Sequence, residues 1–119
     1  MMTLKTRWAD EAMCDMPLPE YPRPQMVRED WINLNGMFDF AVCDENTEWC
    51  EEYTGQIRVP FAVESCLSGI CKRVSAKDRL WYRKSFTLPE SFKDKRTLLH
   101  FGAVDWECKV YVNKKEVGI

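Results

Sequence analysis

Two carboxylates set two residues apart, Asp105 and Glu107, are the sharpest candidates for chemistry in this sequence. On one strand, residues i and i+2 share a face and lie about 7 Å apart. Glycoside hydrolysis uses carboxylate pairs separated by roughly 5 to 9.5 Å. Any Asp-x-Glu on a strand meets that spacing, so the pair reads first as a solvated polar face. His100, the one histidine, sits in an apolar run with no local partner to orient it as a base. A buried imidazole satisfied by backbone is expected there. Ser65, Ser68 and Gly69 do not form the Gly-x-Ser-x-Gly elbow of a serine nucleophile. The five glycines are scattered and build no phosphate cradle.

The six cysteines are Cys14, Cys43, Cys50, Cys66, Cys71 and Cys108. Neither the 43/50 nor the 66/71 spacing is the tight Cys-x-x-Cys of a zinc site, and His100 stands at no ligand spacing from them. Cys43 and Cys108 fall in apolar, strand-like runs, where a free thiol packs as a small hydrophobe. All six are expected to be reduced structural thiols, with no metal and no cofactor. Of the five tryptophans, Trp31, Trp81 and Trp106 stand in or beside strand-like runs and are expected to fill the core. Trp8 and Trp49 are freer to offer an aromatic face to a sugar ring, although no spacing singles them out.

The elements that must position these groups read as strands. A chain of 119 residues, 45% hydrophobic and 30% charged, is the size of one globular domain. Its net charge of −2 leaves no basic stripe for nucleic acid. No run approaches the roughly 20 apolar residues of a membrane helix. Residues 1–16 carry charges where a signal peptide would be apolar, which points to the cytoplasm. Four prolines within residues 17–24 predict an extended arm over residues 1–20.

Residues 31–34 and 37–43, joined by Asn35-Gly36, predict a β-hairpin with Phe38, Phe40 and Val42 on one face and Asp39 on the other. Residues 44–55 predict either one helical turn or a surface insertion. Further strands are expected at 56–59, stopped by Pro60, at 80–88, stopped by Pro89, and at 97–101 and 107–113. A turn at 113–115 leads into a last strand that the sequence leaves after a few residues, too short to pair. That pattern predicts an all-β, antiparallel sandwich over residues 21–119, incomplete at its C-terminus and open to self-association at a bare sheet edge.

Several segments together resemble glycoside hydrolase family 2. They are Tyr21-Pro22-Arg23-Pro24-Gln25, Trp31-Ile32-Asn33-Leu34-Asn35-Gly36 with Phe38-Asp39-Phe40, and Val59-Pro60-Phe61 with Glu64-Ser65. Leu67-Ser68-Gly69-Ile70, Trp81-Tyr82-Arg83-Lys84-Ser85-Phe86 and residues 98–106 (LLHFGAVDW) follow in order. The resemblance implies a jelly-roll, galactose-binding-like sugar-binding domain at the front of a retaining β-galactosidase, β-glucuronidase or β-mannosidase. It implies catalytic glutamates in a later barrel, so no catalytic, cofactor or metal residue is assigned here. The expected partners are carbohydrate, through the parent enzyme, and the remaining domains of the same chain. Lys114 departs from the family, which has a glycine at that turn. The alternative is a free-standing carbohydrate-binding module.

Overall fold

The computed structural model describes residues 5–119. The chain divides after Thr87 into two compact units, the second being Leu88–Ile119. Both are built on antiparallel strands, with helix confined to short single turns, so the fold is all-β.

The first unit holds a three-stranded sheet. Its strands are β1 (Gly36–Asp44), β2 (Gly55–Val59) and β3 (Asp78–Arg83), in the order β2-β1-β3. The alternation read in residues 37–43 has the expected consequence. Phe40, Ile57 and Val63 form a buried core, with Phe38, Val42, Val59, Ile70, Val74 and Leu80 packed against it. β2 ends where Pro60 removes the next ladder donor, as the sequence predicts. β3 is shorter at its C-terminal end than expected, since residues 84–88 leave the sheet.

The expected hairpin at Asn35-Gly36 does not form. Both edges of β1 are taken, by β2 from Gly36↔Val59 onward and by β3 from Asp39↔Arg83 onward. Residues 31–35 are instead tied by side chains. The Asn35 N–H donates to Asn33 Oδ1 at 2.8 Å, Asn33 Nδ2 donates to the Leu18 carbonyl at 2.9 Å, and Asn35 Nδ2 to that of Pro17 at 3.0 Å. Asparagine competing locally for backbone groups is the physical reason. Gly36 has φ +110°, and a Cβ there would collide with the Asp15 carbonyl oxygen, so glycine answers a close approach rather than a hairpin turn.

Within residues 5–20 the arm is not extended throughout, because Ala9–Ala12 makes one helical turn, α1. The rest of the expected arm, residues 1–4, lies outside the described residues.

The second unit carries β4 (Val110–Val112) and β5 (Lys115–Gly118), a two-stranded antiparallel hairpin. The last strand does pair, against expectation, because a two-residue turn brings Tyr111 opposite Glu116 at once. Asn113 (φ 50°) and Lys114 (φ 67°) both take left-handed geometry, so Lys114 supports the turn that a glycine would favour. Residues 97–101 form no strand. Their β-favouring side chains have no neighbouring strand to pair with among the described residues, and propensity without pairing does not hold a strand.

Candidate functional site

The second face of the three-stranded sheet gathers most of the polar and aromatic chemistry. One row across the sheet reads Gln56, Asp39, Arg83, since Asp39 is the direct partner of both neighbours. Arg83 Nε and Nη2 donate to Asp39 Oδ2 at 3.0 and 2.8 Å. The hydrogen bond from Arg83 holds the Asp39 carboxyl below the usual carboxylate range, with Gln56 assisting. The next two rows pair Ala41 with Trp81 and Cys43 with Arg79.

Residues 45–54 fold back over this face. The Trp49 ring meets that of Trp81 edge-on at 5.6 Å, and the Arg83 guanidinium lies 4.2 Å from the centre of the Tyr53 ring. Arg79 Nη1 donates to the Thr47 carbonyl at 2.9 Å. Cys50, within this segment, is buried and donates its thiol to the Glu52 carbonyl at 3.2 Å. Burial, first, raises the phenol of Tyr53 and the thiol of Cys50 above their ordinary values. No helical turn forms here; the segment is an irregular insertion, the second of the two forms expected of it.

Chemically this face is saturated rather than poised. Asp39 is ionised and committed to Arg83, and the guanidinium is always protonated. A general acid or base needs a pKa near the working pH, which neither offers.

The residues singled out in the sequence are spread apart from it. Asp105 and Glu107 are both exposed and neither stands on a strand, so the same-face geometry does not arise. His100 is exposed rather than buried, because the strand expected around it is absent. Ser65 caps a 3-10 turn, Cys66–Ser68, accepting from the Leu67 N–H at 3.2 Å. Ser68, fully buried, donates to the Ser65 carbonyl at 2.7 Å and accepts from the Ile70 N–H at 3.0 Å. Both hydroxyls are thus structural.

Trp31 is half-buried against Tyr21 at 4.8 Å, and Trp81 is half-buried under Trp49. Trp106 is 84% exposed, so it does not fill a core. Trp8 is also exposed, with the Arg7 guanidinium 4.5 Å from its ring centre.

The expectation of six reduced thiols is corrected. Cys66 and Cys71 form a disulfide, because the 3-10 turn and the left-handed Gly69 reverse the chain and bring their Cα atoms within 4.4 Å. Cys14, Cys43, Cys50 and Cys108 are free. Among the described residues no group of three His, Cys, Asp or Glu could hold a metal ion. No helix among them is long and apolar enough to cross a membrane. A shallow depression in the second unit, lined by Leu88, Pro89, Glu90, Phe92 and Lys93, offers only an exposed i,i+3 ion pair at 3.7 Å.

Asp39, Arg83 and Tyr53 were the residues that sequence reasoning missed as a group. Alternation separated Asp39 from the core face, but its cross-strand partners depend on pairings of residues far apart in the chain.

The sequence of this chain is similar to that of a glycosidase among known proteins. It is 30% identical over 93 residues to a β-galactosidase of Thermoanaerobacter pseudethanolicus (strain ATCC 33223 / 39E). The match covers 75% of this chain and 12% of that enzyme's length. No protein-family profile matches the sequence.

Proposed function

We propose that this chain is the sugar-binding module of a family 2 glycoside hydrolase, a jelly-roll β-sandwich that works beside the catalytic domain and supplies no catalytic residue. The 93-residue similarity to a β-galactosidase carries this reading. The residues that resemble the family support it, since they do structural work in the first unit. Gly36 and Val59 start the β1–β2 ladder, Asp39 and Arg83 clamp β1 to β3, and Ser68 closes the buried turn.

In this reading the parent enzyme hydrolyses O-glycosyl bonds with retention, using two glutamates on a barrel domain. The present chain braces that machinery. The direct test is turnover of a chromogenic β-galactoside by the purified chain. No hydrolysis above buffer is expected at any pH between 4 and 9. Hydrolysis that disappears on replacing Asp105 or Glu107 would overturn the non-catalytic assignment.

A further inference from the structure

The Cys66–Cys71 disulfide joins residues only five apart in the sequence. Cys71 is exposed and takes left-handed geometry (φ 52°), which is costly for a residue with a side chain, while Cys66 is half-buried. The turn that the bond closes has its own frame of hydrogen bonds. The Gly69 N–H donates to the Cys66 carbonyl at 3.2 Å, and the buried Ser68 hydroxyl accepts from the Ile70 N–H at 3.0 Å. The Lys72 N–H donates to the carbonyl of Val63, a core residue, at 3.2 Å. Val63 and Lys72 flank the cysteine pair, so the turn is closed by backbone as well as by sulfur. Lys72 and Arg73, both exposed, directly follow Cys71 and bring positive charge to an approaching anionic thiolate. We propose that Cys66–Cys71 is a thiol–disulfide exchange site, opened and closed by a small anionic thiol of the glutathione class that enters at Cys71. The site does not depend on the chain being part of a glycosidase.

By linkage, a disulfide gains from the fold only as much as it gives to the fold. Closing a loop of five residues is worth about thirtyfold in the folding equilibrium, against about a thousandfold or more for a hundred-residue loop. Opening also frees Cys71 to leave its left-handed geometry, which subtracts from that gain. The fold therefore protects this bond little, and the turn persists in both states. In the opening direction a glutathione thiolate attacks the Cys71 sulfur, the S–S bond breaks, and Cys66 leaves as a thiolate that takes a proton from solvent. A second glutathione thiolate attacks the glutathione sulfur of the mixed disulfide and expels the Cys71 thiolate, which is protonated in turn. The protein disulfide is reduced to two thiols while two glutathione thiols are oxidised to one disulfide. The reverse sequence closes the bond.

The test equilibrates the wild-type chain in glutathione buffers of graded reduced-to-oxidised ratio, with and without concentrated urea, then alkylates free thiols and maps each cysteine by its peptide. Half-reduction of Cys66–Cys71 should fall at glutathione ratios that agree within about thirtyfold between the folded and the urea-unfolded chain. A larger gap would show that the fold guards the bond and would overturn the proposal, as would two thiols that stay alkylated at every ratio. In the reduced chain, amide exchange at Ile70 and Lys72 should stay within about tenfold of that in the oxidised chain. Loss of that protection would show that sulfur alone closes the turn, and would also overturn it. With oxidised glutathione, Cys66→Ser should form a mixed disulfide at Cys71 on the order of tenfold faster than Cys71→Ser forms one at Cys66. Equal or reversed rates would overturn entry at Cys71.

Discussion

Ile57 offers the most demanding test of the core. Its side chain is fully buried, 0% exposed, against Phe40 and Val63. Ile57→Ala removes three carbons, which at about 0.8 kcal/mol per buried methylene costs about 2.4 kcal/mol. The cavity adds about 1 to 2 kcal/mol where neighbours relax only in part, for a total of about 3 to 4 kcal/mol. Two strands and a loop close over this site, so little relaxation is available. A unit this size holds about 5 to 10 kcal/mol in all, so about a third to four fifths of its stability should go.

Urea unfolding followed by tryptophan fluorescence reads this, because Trp81 stands on the same sheet and Trp49 packs against it. Ile57→Val should lose about 1 kcal/mol in the same assay. Val112→Ala, at a position about half exposed on β4, should stay within about 0.5 kcal/mol. An Ile57→Ala loss below about 1 kcal/mol would refute the core described here.

Three further outcomes follow from named contacts. Ser68→Ala strips the Ile70 N–H of its buried acceptor and should cost about 1 to 3 kcal/mol in the urea assay. Lys114→Gly relieves a left-handed lysine and should stabilise the β4–β5 hairpin by about 0.5 to 1 kcal/mol, read as slower amide exchange at Val110 and Val112. Asp39, Asp44 and Asp78 are all held below their ordinary values, by hydrogen bonds from Arg83, from the Asn46 N–H and from the Ser75 N–H respectively. A carboxyl lowered in the folded state adds stability above its unfolded pKa of about 4, and that stability is lost as pH falls through the folded value. The urea midpoint should therefore be insensitive to these groups above about pH 5 and drop below about pH 4, less steeply in Asp39→Asn.

Elements governed by local pattern were legible in the sequence. The period-two run at 37–43 became β1 with its core face as read, and Pro60 ended β2 where it stands. What the sequence hid depends on groups far apart in the chain. Asn35-Gly36 carries a strong hairpin signal, yet the carbonyls of Pro17 and Leu18 claim the neighbouring asparagine side chains, and β2 and β3 claim both edges of β1. Residues 44–55 leave a helical turn open in the sequence, whereas Trp49 and Tyr53 are each held by a partner on β3. The Cys66–Cys71 pair fits no metal-ligand spacing, and only the reversal at Gly69 brings it together. The ion pair of Asp39 and Arg83 joins residues 44 positions apart, beyond any local pattern.

The proposed role as the sugar-binding part of a longer glycosidase is tested most directly by the genomic sequence beyond the codon for Ile119. The expected result is a long in-frame extension that encodes a (β/α)8 barrel with two catalytic glutamates. A stop codon directly after Ile119 would contradict it and leave a carbohydrate-binding module that acts alone.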